Sequence, residues 1–151
     1  MHDEWTPVSR LQDAVAARLR DLLSIETVAS RRANLPARVA EALSRSRGTA
    51  LLVHVPSARL RFPNLPVPHL DPVTVEVTAF RNTAISPDGP CAADIAIRAA
   101  AALFGWTPPG ACRPLVGAGA DIRCDFDGGY ERATVALATS ATTKPNERTD
   151  S

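Results

Sequence analysis

The sequence predicts an α+β fold: a small, mostly antiparallel sheet of about four strands packed against two to three helices, with a long proline-rich arm. Three observations lead there. Stretches with apolar residues at three- and four-residue spacing alternate with stretches at two-residue spacing, in a chain of 151 residues that is 45% hydrophobic and 22% charged. Aromatic residues are only 5% while alanine fills 26 positions, so the core must be built from Ala, Val and Leu, which suits helices lying close on a sheet. Prolines at 56, 63, 66, 68 and 72 crowd one stretch that is otherwise apolar and basic.

In chain order, Val8, Leu11, Val15, Leu19, Leu22 and Leu23 define an amphipathic helix, with Arg10, Asp13, Arg18, Arg20 and Asp21 on its other faces. Thr6 before Pro7 is its start, a capping residue ahead of a proline at the first helical position. Residues 25–28 read as a short strand. Residues 35–43 (LPARVAEAL) repeat the helical pattern more weakly, and 45–48 end it with basic side chains and a glycine. ALLVHV, residues 50–55, is a nearly continuous apolar run expected to be buried on both faces, with His54 as a half-buried core histidine.

Five prolines in the 17 residues 56–72 exclude helix and central strand. Leu60, Phe62, Leu65, Val67 and Leu70 are nevertheless apolar, unlike a solvated loop, so the segment reads as an extended arm that buries them against a neighbouring molecule. VTVEVTAF, residues 73–80, sets Val73, Val75, Val77 and Ala79 against Thr74, Glu76, Thr78 and Phe80, a strand with one buried face. Residues 92–104 form a helix with Ile95, Ala99, Ala102 and Leu103 in one stripe, and GWTPPG closes it with Trp106 folded back as an apolar plug. Residues 120–126 and 130–139 are strands joined by Asp-Gly-Gly, a hairpin signal. One domain is expected over residues 1–138, followed by a loose polar tail over 139–151.

The net charge of +1 argues against a chain that is basic throughout to coat nucleic acid. Its distribution is uneven. Residues 1–26 carry three Arg against five acids, residues 27–70 seven Arg against Glu41 alone, and residues 71–151 seven bases against ten acids. A basic middle between acidic flanks suits self-association, one copy's positive segment facing the next copy's negative surface. Cys91, Cys112 and Cys124 are an odd number without a C-x-x-C pair, which points to reduced thiols in a cytosolic chain. No apolar run reaches the ~18 residues of a membrane span, and MHDEWTPVSR lacks a signal pattern.

No catalytic, cofactor or metal site is expected. Cys91 with His54 or His69 lies in no nucleophile motif. His69 and Asp71 sit beside prolines and read as a turn, and Asp121, Asp125 and Asp127 lack the closing Glu of a calcium loop. Gly117 and Gly119 form no dinucleotide fingerprint and read as a flexible connection. The candidate residues are instead a subunit interface made by Arg59, Arg61, Phe62, Leu65, Val67 and Leu70, with Arg45 and Arg47 as further contacts to a neighbour or to DNA.

VTVEVTAFRNTAISPDGPCAADIAIRAAAALFGWTPPG, followed after a gap by YERATVALATS, resembles the tail terminator or tail completion proteins of long-tailed phages and related contractile particles. The matching positions are Arg81 and Asn82 in the turn, residues 93–103 in the Ala- and Ile-rich helix, Trp106, Pro109 and Gly110 after it, and Tyr130 early in the last strand. The likeness covers roughly residues 70–140, and the arginine-rich 29–50 segment and the proline-studded arm depart from it. It implies a non-enzymatic virion subunit, assembled in the host cytoplasm, that forms a six-membered ring on the head-proximal end of the tail. Its partners would be further copies of itself, the tail tube protein, the head connector protein, and DNA passing through the ring, with no membrane and no cofactor. Arg45 and Arg47 would face the lumen or a neighbour. A head–tail connector or neck subunit is the alternative of the same class. A small DNA-binding protein using Arg45, Arg47, Arg59 and Arg61 is the alternative of another, without a helix-turn-helix pattern to support it.

Overall fold

The computed structural model describes residues 6–30, 35–45, 48–62, 67–119, 121–127 and 129–143, the side chains of residues 35, 45 and 127 excepted. The elements in order are α1 (Pro7–Leu23), β1 (Thr27–Ala29), α2 (Leu35–Arg45), β2 (Thr49–Arg61), β3 (His69–Asn82), α3 (Ala92–Leu103), β4 (Val116–Gly117), β5 (Arg123–Asp127) and β6 (Tyr130–Thr142). Two-residue alternation makes β3 and β6 the centre of the sheet. They pair antiparallel from His69 opposite Thr142 to Asn82 opposite Tyr130, and β2 flanks β3 on the other side. β1 adds to β2 in parallel, while β4 and β5 share the outer edge of β6. The class is therefore α+β, with a mixed sheet of six strands rather than about four. β1, three residues long, overlaps the short strand expected at 25–28, whereas β4 spans only two residues, too few to display a period in sequence.

The sheet has unlike faces. Val73, Val75, Val77 and Ala79 of β3 are fully buried, and their cross-strand partners Val53, Leu51, Leu137, Val135 and Ala133 share that face. α1 and α3 cover it, α1 with Leu11, Val15, Ala16 and Leu19, and α3 with Ala92, Ile95, Ala96, Ala99 and Leu103. Alanines on α3 permit the close approach that a core poor in aromatics requires. Leu22, expected in the α1 stripe, turns outward at 52% exposure. Trp106 packs half-buried against the core under Arg18, whose guanidinium carbon lies 4.8 Å from the ring centroid. Among the described residues, the opposite face is covered only at one end, where Ala42 and Leu43 of α2 meet Ala50, Val28, Phe80 and Tyr130. At the α2–β2 junction Gly48 has φ +90°, and a Cβ there would stand 3.0 Å from that of Ile85, so glycine is required.

The prolines do not make a free arm. Residues 56–61 continue β2 and residues 69–72 begin β3, so these parts of the segment pair within the chain's own sheet, and residues 63–66 lie outside the described residues. The reason lies in the register. One irregularity falls between His54 and Ser57 and brackets Pro56, and another, between Leu70 and Val73, brackets Pro72, whose bond from Asp71 is cis. Bulges are where a strand tolerates a residue without an N–H. The expected C-terminal tail also begins later. β6 runs to Thr142, and Thr139, Ser140 and Ala141 are buried because the 111–113 segment pins them: the Thr139 hydroxyl donates to Arg113 O at 2.6 Å and Cys112 N to Ser140 O at 2.7 Å. Residues 144–151 lie outside the described residues.

Arg81 and Glu131 face each other across β3 and β6 and tie the sheet to α3. Glu131 Oε1 accepts from Arg81 Nε at 2.8 Å and from the Ala92 N–H at 2.9 Å, so it fills the cap role at the start of α3 from a distant strand. Arg81 Nη1 also donates to Ser86 O, and Asn82 Oδ1 accepts from Ala84 N, which shapes the turn between β3 and α3. The Ala92 N–H, and then the Arg81 guanidinium, hold the Glu131 carboxyl below its usual value of 4.5. A carboxyl lowered on folding stabilises above its unfolded value and loses that contribution as pH falls through the folded one. Glu131→Gln is accordingly expected to lower unfolding free energy by about 1–2 kcal/mol at pH 7. In urea titrations the wild-type advantage should shrink below pH 4.5.

Candidate functional site

Beyond Val55 the hairpin leaves helix cover, and every β2 residue from Pro56 onward is exposed. Leu60 pairs with Leu70 on the core-side face but is 51% exposed, and Phe62 just past the strand is 76% exposed. Arg59 is exposed. Arg61 Nε donates to Asp71 O at 2.8 Å, and Asp71 Oδ1 accepts from Arg113 Nη2 at 2.8 Å, which braces the hairpin base against the 111–113 segment. The returning strand is held by the chain itself: Thr143 Oγ1 donates to Pro68 O at 2.8 Å. The predicted interface thus divides. Arg59, Arg61 and Phe62 stand outward at the hairpin end, Val67 is half-buried, and Leu70 belongs to the subunit's own core, because its register opposite Ala141 places it on the covered face. Leu65 and Arg47 lie outside the described residues, as does the side chain of Arg45.

The uncovered sheet face offers a second surface. Between α2 and the strands, Pro36, Val39, Ala40, Leu43, Leu52, Phe80, Tyr130 and Arg132 line a groove of about 400 Å³. It continues into a smaller cleft of about 260 Å³ that shares Leu52, Phe80 and Arg132 and adds Thr78, Arg123, Asp125 and Thr134. Cross-strand pairs order the floor: Arg132 grips Asp125 with two bonds of 2.8 and 3.1 Å, Arg123 meets Glu76 at 3.1 Å, and Thr78 and Thr134 share a bond of 2.9 Å. The Arg132 hydrogen bond, followed by the charges of Arg132 and Arg123, holds the Asp125 carboxyl below its usual 3.8. Arg123 and Asp125 are exposed, so these pairs orient the face more than they stabilise it.

No protein-family model and no curated protein sequence matches the chain. The functional reading therefore rests on the surfaces themselves and on the residues of the sequence.

Among the described residues no group of three or more His, Cys, Asp or Glu is placed to hold a metal ion. Cys91 is half-buried at the N-cap of α3, and Cys112 and Cys124 are exposed; all three are free thiols. His54 is exposed rather than core, since even-numbered positions of this part of β2 face away from α1 and α3. Its Nδ1 lies 3.0 Å from Ser30 Oγ, which also accepts from Gln12 Nε2 at 3.0 Å. Asp125 joins a cross-strand pair instead of a calcium loop, and Gly117 belongs to β4. No helix among the described residues is long and apolar enough to cross a membrane. Sequence reasoning missed the groove, whose one signal was the pairing of Val39 and Leu43 on the weaker helix with Phe80 and Tyr130 on the strand face assigned to solvent.

The division of the hairpin gives a direct contrast. Leu70→Ala removes core packing and should cost about 2–5 kcal/mol of stability. Phe62→Asp, at an exposed site, should change it by no more than ~0.5 kcal/mol. Denaturant midpoints of the two variants measure the difference.

Proposed function

We propose that this chain is a tail terminator subunit: copies of it form a ring, six-membered in the family it resembles, on the head-proximal end of a virion tail. The ring halts addition of tail tube protein and presents a surface to the head connector. The observation that carries the reading is the hairpin end, which exposes Leu60 and Phe62 beyond the reach of the subunit's own helices. Large apolar side chains projecting together are a reason to expect a protein partner. The turn residues of the resemblance also have structural work, since Arg81 and Asn82 set the connection from β3 into α3.

The mechanism is steric and thermodynamic. A ring seated on the last tube layer covers the surface that the next tube subunit would occupy, so growth stops without any bond being made or broken. Each contact need only be moderate, because subunits already linked in a ring bind the tube with a high effective concentration. Head-to-tail interfaces whose rotation closes produce such rings, and they join unlike patches. Basic residues of the 27–70 segment, Arg45 and Arg47 among them, would line the lumen or a neighbour and make non-specific contact with DNA passing through.

Particles assembled without this protein should carry tubes of uncontrolled length, and negative-stain images would record it. Tubes of normal length in its absence would overturn the terminator role, and copurification with tail-less heads would assign the chain to the connector or neck instead.

A further inference from the structure

The flank of the molecule at β5 carries apolar side chains that its own helices do not cover. Among the described residues, four of the nine exposed large apolar side chains belong to it: Phe126 on β5, Ile122 just before that strand, and Ile97 and Phe104 on and after α3. Cys124 pairs with Ala133 and Phe126 with Glu131, so both stand on the side of the sheet that carries α1 and α3. α3 runs along β6, from the Ala92 N–H at Glu131 to Gly105 at Leu115, which precedes the β4 residue opposite Ala138. In that direction its right-handed turn puts Ile97, Ala100 and Phe104 on the flank toward β5, while α1 lies on the other flank.

Among the described residues no strand lies beyond β5. Ala136 O accepts from Ala118 N at 3.2 Å, so even-numbered residues of β6 turn their peptide groups toward β4 and β5. Arg123 and Asp125, opposite Thr134 and Arg132, turn theirs back to β6, which leaves those of Cys124 and Phe126 facing outward. A second β5 can pair antiparallel along this edge, and the charges select its register. A two-fold axis at Cys124 sets Arg123 opposite Asp125 of the other copy and Ile122 opposite its Phe126, each twice. Moving the axis one residue either way opposes Arg123 to Arg123 or Asp125 to Asp125, and like charges directly opposite are destabilising. Within one copy Arg123 already meets Glu76, and Arg132 grips Asp125. The contact therefore joins Glu76, Arg123, Asp125 and Arg132 in a row of alternating sign, two charges of each kind.

We infer that the free chain pairs with a second copy of itself through β5, with the two-fold axis at Cys124. The two sheets become one, and the α3 helices of both copies stand on the same side of it. Three strand spacings of about 4.8 Å separate one β6 from the other, so the two helices lie about 14 Å apart. That is wider than the 8–10 Å of helices in direct contact. Ile97, Phe104 and Phe126 of each copy fill the difference, which gives the exposed flank its cover. A two-fold contact is complete at two copies, unlike the head-to-tail contacts of a ring, so the pairing goes beyond the ring reading and does not rest on it.

Cross-linking of the full chain with Cys91 and Cys112 replaced by Ser reads the register. With Cys124 retained, mild oxidation should link the chain to its own copy, since the Cα atoms of a hydrogen-bonded antiparallel pair lie about 5.5 Å apart, within disulfide reach. With Cys124 also replaced by Ser, the Ile122→Cys and Phe126→Cys variants should link to each other when mixed and neither to itself. In the otherwise native chain, Ile97→Glu, at an exposed site, should weaken self-association about tenfold or more in sedimentation equilibrium while leaving the circular dichroism spectrum unchanged. A native chain that stays monomeric at the highest concentration reached overturns the pairing. So does self-association that both Ile97→Glu and Phe126→Asp leave unchanged, or an Ile122→Cys variant that links to itself in place of its mixed partner. None of these results bears on the ring reading, which is judged by tube length.

Discussion

Strand parity along β3 is the constraint on which the rest of the structure depends. Val73, Val75, Val77 and Ala79 are fully buried on one side, and a register slip of one residue would send all of them to the other. That commitment fixes which residues of β2 and β6 join them and obliges α1 and α3 to cover the same face. The other side receives Thr74, Glu76 and Thr78, which need no cover, and Phe80, which does. A single short helix, α2, suffices there, and because it shields only one end of the face it leaves a groove along its flank. The groove is thus a by-product of how economically the second face is closed.

The same register places Arg81 opposite Glu131, two charges that would be indifferent on an open surface. At 13% and 18% side-chain exposure, beside the first N–H groups of α3, they become the joint between sheet and helix. The helix that completes the core is therefore anchored by a residue 39 positions further along the chain. Cooperativity between sheet and helix follows, since neither side of the joint keeps its hydrogen bonds without the other.

Much of this architecture was legible in the residues. The alternation in β3 and β6 and the stripes of α1 and α3 each carry a local period that tertiary packing did not override. What resisted reading had non-local causes. Pro56 and Pro72 argue against strand in isolation, and only the pairing partners reveal the bulges that admit them. Leu70 looks like its neighbours Phe62 and Val67 in composition, yet its place opposite Ala141 takes it into the core. Thr139 and Ser140 read as a polar tail because their burial depends on a segment about 26 residues earlier. Which of the apolar and basic residues gathered in the 56–72 stretch face outward is decided by register, which the sequence alone does not display.

Pro56 has a consequence beyond admitting a bulge. Among the described residues no strand flanks the outer edge of distal β2, the kind of backbone that recruits other strands and seeds fibrils. The irregularity around Pro56 breaks the regular spacing that a visiting strand would need. Copies of this chain crowded together before any orderly association would thus meet at this edge through side chains, whose fit is selective, and not through the indiscriminate adhesion of bare peptide groups.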